Sequence, residues 1–353
     1  MKRYLPSDPN LRYMGRIEMR DPDAPVFYWP YSLVQFRFTG SLLRITVINH
    51  SFGAESGNGL RLGMELDGKE SVLTLSPENG IAQTLTVTAE GAGQHSVRIW
   101  KREDSPHYFV FCGIAVSDGE TVLPLPLPSL KIEAFGDSVT AGSWVELCSH
   151  VGQPDEPEYT AKYDNARYSF AVLAADLLSA QIHLTAQGGI ALLDGSGYFE
   201  NGAVGMETAY DKLCYQPYAG KLTPWDFSRY VPDYVVFAVG QNDQRAGGKE
   251  GVLPDAAGAE RWIAAYCRIL TDLMRKYPSA QFILTLTVLM HAELWESLVD
   301  AVCERMASSR VHRLRFARSG KGTPGHPRIP EQCEMAYELT RFIQRLRGDA
   351  PCA

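Results

Sequence analysis

The chain has 353 residues, of which 45% are hydrophobic and 21% are charged, and its formal net charge is −7. This composition excludes a disordered or collagen-like chain and leaves room for two globular domains. The acidic balance argues against nucleic acid or an anionic membrane as the partner. The apolar runs are too short for a bilayer, and the first residues lack the apolar segment of a signal peptide, so we expect a cytoplasmic location.

Residues 1–122 have the pattern of an all-β domain. The segments 34–39 and 43–47 alternate apolar and polar residues, as half-buried strands do, and 84–88 and 96–100 add two more strands. Asp-Gly pairs at 67–68 and 118–119 are hairpin-turn signals between apolar runs. Many short strands with turns between them predict a β-sandwich of the jelly-roll type.

Residues 123–129 contain three prolines at alternate positions and form the predicted linker, which should be extended and stiff. From 130 to 353 the pattern changes to an α/β domain with alternating strands and helices. The predicted strands are 130–135, 180–186, 233–239, 281–289 and 311–316, and the predicted helices are 167–179, 257–277, 291–306 and 330–347. Apolar strands separated by amphipathic helices predict a mostly parallel sheet that is covered on both faces.

Three polar motifs follow predicted strands or precede the last helix. Ser138 ends the tripeptide Gly-Asp-Ser directly after the first strand, Asn242 follows the third strand, and His326 lies in a Gly/Pro-rich loop. Ligands of parallel sheets bind at the carboxyl ends of the strands, so these side chains should share a site. A serine nucleophile, a histidine base and an amide donor are the groups that acyl transfer needs. The alternatives are a helix-capping serine, a turn asparagine and a solvated histidine.

The connection 190–232 is unusually long for a compact domain and is rich in glycine and aromatic residues, among them Tyr198 and Trp225. Connections of this length are usually functional or carry small elements of their own. Two interpretations remain open for its aromatic residues: a cluster packed under a long loop, or a cleft wall with platforms for a sugar. The scattered cysteines show no zinc-like spacing with histidine, so we expect no metal and no cofactor.

The blocks at Gly136–Ser138, Gly189, Asn242 and His326 resemble, in that order, the four blocks of the SGNH (GDSL) hydrolase superfamily. The stretches 27–40, 95–101 and 225–233 make the chain similar to carbohydrate esterase family 2, whose members join a β-sandwich to an SGNH domain. The resemblance implies a flavodoxin-like three-layer α/β/α fold for the second domain and deacetylation of sugar hydroxyls. It also implies that Ser138 is the nucleophile, that His326 is the base, and that Ser138, Gly189 and Asn242 form the oxyanion hole. Asp137 and Trp225 are expected to contact the substrate.

One position departs from the superfamily. Most members carry aspartate three residues before the histidine, whereas this chain has Thr323 there. A hydroxyl orients imidazole far less well than a carboxylate does, which predicts a Ser–His dyad with a backbone carbonyl on the imidazole.

The predicted partner is an acetylated mono- or oligosaccharide, with no nucleic acid and no membrane. Two alternatives stay open: a broader acylhydrolase acting on lipid or thioester chains, and a carbohydrate-binding protein with a dead site.

Overall fold

A computed structural model describes residues 1–51, 60–104, 107–215, 220 and 222–349. The strands of its first part are β1 (Lys2–Tyr4), β2 (Arg12–Met14), β3 (Ile17–Glu18), β4 (Val26–Phe27), β5 (Leu33–Thr39), β6 (Leu42–His50), β7 (Arg61–Leu66), β8 (Lys69–Thr74), β9 (Ala82–Thr88), β10 (Gln94–Lys101), β11 (Tyr108–Val116) and β12 (Val122–Leu123). The later strands are β13 (Leu130–Gly136), β14 (Ala180–Ala186), β15 (Lys212–Cys214), β16 (Thr223–Pro224), β17 (Tyr234–Ala238), β18 (Gln281–Leu284) and β19 (Val311–Arg313). The helices are α1 (Ser138–Ala141), α2 (Phe170–Leu177), α3 (Met206–Ala209), α4 (Ala256–Lys276), α5 (Glu293–Met306) and α6 (Ile329–Arg347).

The N-terminal strands form two antiparallel sheets. One has the order β3-β4-β11-β6-β9 with β1 on β11, and the other has β12-β5-β10-β7-β8 with β2 on β5. Alternate residues of both sheets, including Phe36, Phe38, Ile45 and Phe111, meet in one apolar core. The hairpin β7–β8 turns at Asp67 and Gly68, both with positive φ, as the Asp-Gly signal predicted. The predicted sandwich is confirmed.

The C-terminal sheet is parallel and has the strand order β14-β13-β17-β18-β19. In chain order this is 2-1-3-4-5, the flavodoxin-like arrangement, and the order reverses between β13 and β17. Helices α2 and α6 pack on one face of the sheet, and α4 and α5 pack on the other. The predicted three-layer fold is confirmed. A ligand is expected at the edge of the sheet where β13 and β17 have their carboxyl ends.

Several predicted elements are shorter in the structure than in the sequence pattern. The strand predicted at 311–316, for example, ends at Arg313, and two larger differences occur at 281–289 and 167–179. The strand predicted at 281–289 ends at Leu284, because the chain then leaves the sheet and crosses its carboxyl edge, where Leu289 makes an isolated bridge with Thr323. The helix predicted at 167–179 begins at Phe170, after a 3₁₀ turn capped by the Asn165 side chain.

The two halves of the chain share apolar cores. Trp29 of the first half belongs to the same apolar cluster as residues of α4 and α5, and Trp100 of β10 belongs to the cluster that contains residues of α2 and α6. The proline segment is held in place, because the Gln35 amide donates to the carbonyls of Leu125 and Pro126 at 3.0 and 3.1 Å. The division into domains at 122 and 130 stays a prediction, but the sandwich clearly packs against the α/β layer rather than standing apart.

Candidate active site

Ser138 lies at the carboxyl end of β13 and begins the single turn of α1. The Asp137 carboxylate caps this turn by accepting the Val139 N–H at 3.0 Å. A Cβ on Gly136 would lie 1.9 Å from Thr140 Oγ1, so the abrupt change from strand to helix requires glycine. Ser138 is 7% exposed, so most of the residue is buried at the sheet edge.

His326 lies in the loop that precedes α6. Its Nε2 is 2.8 Å from Ser138 Oγ, although the two residues are 188 positions apart. The imidazole is 22% exposed, so solvent can still reach this side of the site. For Nε2 to accept the serine proton, Nδ1 must carry the other ring proton and needs an acceptor of its own.

That acceptor is Asp155. Its Oδ2 lies 2.7 Å from His326 Nδ1, and its Oδ1 accepts the His326 N–H at 3.0 Å and Arg328 Nη2 at 2.7 Å. The predicted dyad is therefore wrong: a carboxylate stands where a backbone carbonyl was expected. Burial acts to raise the pKa of Asp155, but the hydrogen bonds from His326 and Arg328 outweigh burial and hold that pKa below its usual range.

Thr323 does not take part in this chain of hydrogen bonds. Its N–H donates to Val288 at 3.3 Å and its carbonyl accepts the Met290 N–H at 2.9 Å, which fixes the loop to the sheet edge. The carboxylate instead arrives from a loop 171 residues away from His326. Gly325 allows the two loops to meet, since a Cβ there would lie 2.7 Å from the Asp155 nitrogen.

Gly189 and Asn242 lie on adjoining loops. Asn242 Nδ2 donates to the Ile190 carbonyl at 2.9 Å, which leaves its second N–H available. Gly189 has φ +72°, and a Cβ there would lie 2.8 Å from the Tyr198 Cβ, so both its conformation and its surroundings favour glycine. Among the described residues, no backbone acceptor takes the Gly189 N–H.

A carboxylate from the sandwich reaches the same loop. Asp104 Oδ2 accepts the Gly188 N–H in a short hydrogen bond and lies 3.2 Å from Gln187 Nε2. Asp104 follows β10 and is 7% exposed. This contact could not be predicted from the sequence, because Asp104 lies in a polar turn of the other half of the chain. The sandwich thus touches the site directly.

The substrate contacts predicted for Asp137 and Trp225 stay predictions, and burial of both side chains argues against them. Asp137 is fully buried, and burial raises its pKa to about 6 against the opposing Val139 hydrogen bond. Trp225 is 5% exposed and packs in a small apolar cluster with Leu213 and Tyr230. Asp137 caps the turn that carries Ser138, and Trp225 packs within its own apolar cluster.

Within the described ranges, no group of three or more histidine, cysteine or acidic side chains is placed to hold a metal ion. In the same residues, no helix combines the length and apolar character that crossing a membrane needs. The cytoplasmic location stays a prediction.

Comparison with known proteins agrees with this geometry. The family model for the carbohydrate esterase 2 N-terminal domain matches residues 13–126. The cellulase/esterase CelE of Acetivibrio thermocellus is 30% identical over 359 residues, a match that covers 97% of this chain and 40% of that protein. The acetylxylan esterase/glucomannan deacetylase of Cellvibrio japonicus is 27% identical, with 96% and 90% covered.

Solved structures extend the similarity to the whole fold. A family two carbohydrate esterase from Clostridium thermocellum, solved with cellohexaose, is 27% identical, has a TM-score of 0.79, and is matched over 96% of this chain and 99% of its own. Sequence motifs, strand order and this similarity along the chain show an SGNH-type fold and make the protein similar to the family 2 carbohydrate esterases.

Proposed function

We propose that the protein is a serine esterase that removes O-acetyl groups from carbohydrates. The observation that carries the proposal is the continuous chain of hydrogen bonds from Asp155 through His326 to Ser138, at 2.7 and 2.8 Å. An ordered acid, base and nucleophile is the arrangement that activates a serine hydroxyl. It also argues against a binding protein with a dead site, which would not need these three groups aligned.

The proposed reaction begins when Ser138 Oγ attacks the acetyl carbonyl carbon and its proton moves to His326 Nε2. Asp155 holds the imidazolium in place and remains ionised. The carbonyl oxygen becomes an oxyanion, for which the N–H groups of Ser138, Gly189 and Asn242 are the proposed donors. Collapse of this intermediate breaks the bond to the sugar oxygen, which takes the proton from His326 and leaves as a free hydroxyl.

Deacylation repeats the same steps with water. His326 removes a proton from a water molecule, and the resulting nucleophile attacks the acetyl-serine carbonyl. The second tetrahedral intermediate breaks the bond to Ser138 Oγ, the serine recovers its proton from His326, and acetate is released. One ester and one water thus give one alcohol and one acetic acid, and His326 is the base and then the acid in each half-reaction.

The proposed sugar platform is Tyr198 rather than Trp225. Tyr198 is 44% exposed and directly adjoins Gly189. The guanidinium of Arg245 lies 4.8 Å from the centre of its ring, and its hydroxyl donates to Glu250 at 2.6 Å, so the ring is held in one orientation. A fixed, half-exposed aromatic ring on a residue that adjoins Gly189 is suited to stacking on a sugar.

The test compares substrates. We expect acetate esters to be favoured over butyrate, with octanoate nearly inert, because each added methylene that finds no room costs about 1–3 kcal/mol. Tyr198→Ala should raise KM for an acetylated xylo-oligosaccharide and leave KM for 4-nitrophenyl acetate unchanged. Tyr337→Ala is the matched control, since Tyr337 is 56% exposed on α6. Equal efficiency on long and short acyl esters, without a preference for acetylated sugars, would favour the broader acylhydrolase.

A further inference from the structure

The turn that carries Gly189 is held by the other half of the chain. Asp104 leaves the end of β10 and places Oδ2 on the Gly188 N–H. The same oxygen accepts Gln187 Nε2 at 3.2 Å. The backbone of the Asp104 turn is itself fixed, because Lys101 Nζ donates to the carbonyls of Glu103 and Asp104 at 2.5 and 2.7 Å. A fully buried ammonium group thus anchors the turn that presents the carboxylate.

Gly188 leaves room for the Asp104 carboxylate because it has no side chain. A Cβ at that position would lie 2.3 Å from Asp104 Oδ2, so any other residue would push the carboxylate away. The hydrogen bond fixes the Gln187–Gly188 peptide, which is one unit before the peptide that carries the Gly189 N–H. The Gly188–Gly189 peptide is held by Gln187 Nε2, which donates to the Gly188 carbonyl at 3.1 Å, so the direction of the Gly189 N–H depends on both contacts.

A second set of contacts holds the same turn in place. The Tyr215 hydroxyl donates to Gln187 Oε1 at 2.6 Å, and the Tyr215 ring stacks on Trp29 with 3.9 Å between the ring centres. Trp29, like Asp104, belongs to the N-terminal half. Gln187 thus receives support on its carbonyl oxygen from Tyr215 and gives its amide group to Asp104.

We infer that Asp104 is a positioning residue for the oxyanion hole: by fixing the Gly188 peptide, it aims the Gly189 N–H at the oxyanion formed on Ser138. The inference rests on the proposed function and gives the sandwich a part in catalysis. It predicts that the oxyanion is stabilised less well when the Asp104 carboxylate is removed, while substrate binding in the ground state hardly changes.

The experiment measures kcat and KM on 4-nitrophenyl acetate, together with the affinity of a small alkylboronic acid. A boronic acid forms a tetrahedral, negatively charged adduct with a serine hydroxyl and so reports on the oxyanion hole directly. For Asp104→Ala we expect kcat and boronic acid affinity to fall together by about 10- to 100-fold, less than or similar to the loss of one direct donor. KM should change by no more than about twofold.

Asp104→Asn keeps an acceptor oxygen without the charge. Its activity should be higher than that of Asp104→Ala. Relative to the wild type, kcat and boronic acid affinity should both fall by about three- to tenfold, because hydrogen bonds to charged groups are the stronger ones. If Asp104→Ala fails to fold, this variant carries the test alone.

The matched control is Glu103→Ala. Glu103 lies in the same turn, is 2% exposed and pairs with Arg61, but no hydrogen bond joins it to the Gly188 turn. It should lower the melting temperature without lowering the boronic acid affinity of the folded protein. Wild-type kcat and boronic acid affinity in Asp104→Ala or Asp104→Asn would overturn the inference, as would an equal loss in Glu103→Ala. Hydrolysis that survives in Ser138→Ala would instead overturn the proposed function.

Discussion

Replacing Asp155 by asparagine tests the role of this carboxylate in the site. Oδ1 of Asp155 receives N–H groups from His326 and from Arg328, so the asparagine oxygen must stay on that side. Its amide nitrogen then faces His326 Nδ1. Nδ1 must become the acceptor, Nε2 must carry the ring proton, and the imidazole can no longer take the proton of Ser138.

The expected loss is large because the wrong tautomer is imposed while the geometry stays intact. In a triad of this type the same change lowers kcat roughly 10⁴-fold, which corresponds to about 5 kcal/mol of transition-state stabilisation. Alanine is the poorer choice, since it would leave the buried Arg328 guanidinium without its carboxylate, at a cost of about 3–5 kcal/mol in folding.

The assay is kcat on 4-nitrophenyl acetate, with a thermal melt to show that the variant is folded. Thr323→Ala is the control and should retain most of the activity, because the Thr323 side chain has no hydrogen bond to His326. Retention of more than about a tenth of kcat in Asp155→Asn would refute the triad and restore the dyad.

Three further predictions follow from buried groups. Asn242→Ala should lower kcat by roughly 10²–10³ with little change in KM, as expected for one oxyanion donor; an unchanged kcat would make Asn242 a turn residue only. Trp225→Ala should lower the free energy of unfolding by about 3–5 kcal/mol and leave KM for acetylated sugars unchanged, as measured by denaturant melts beside kinetics. Burial raises the pKa of Asp137 to about 6 and that of Asp243 to about 7, the latter against hydrogen bonds from Leu192 and Leu193. Their contribution to stability is complete below the unfolded pKa of about 4 and is lost as the pH rises to about 7, so the melting temperature should fall from about pH 5 to about pH 7; a rise over this range would contradict these shifts.

The local sequence pattern was sufficient to predict the strands and the helix that adjoin Ser138, Asn242 and His326. Each follows a strand or precedes a helix whose apolar periodicity is strong, and the parallel sheet brings strand ends to one edge. The sequence could therefore predict that Ser138 and His326 meet and that Asn242 follows a neighbouring strand at the same sheet edge, together with the strand order that the family resemblance implied.

Residues that depend on distant contacts could not be found in this way. Asp155 lies in an irregular loop, and only the folded chain brings it to His326 across 171 positions. Trp225 resembles a sugar platform in a glycine-rich connection, but Arg16 of the sandwich lies 5.5 Å from its ring and helps to bury it. Asp104 shows the same limit, since its partner Gly188 belongs to the other half of the chain.

The central claim is that Ser138 is the nucleophile. The most direct test is to measure the release of acetate from an acetylated xylo-oligosaccharide by the Ser138→Ala variant. Ser138 is small and lies in a turn, so alanine should leave the melting temperature close to that of the wild type. The account predicts that nearly all deacetylation is lost in this folded variant. Retention of about a tenth or more of the wild-type turnover would contradict it, because the binding groups that remain cannot replace the nucleophile to that extent.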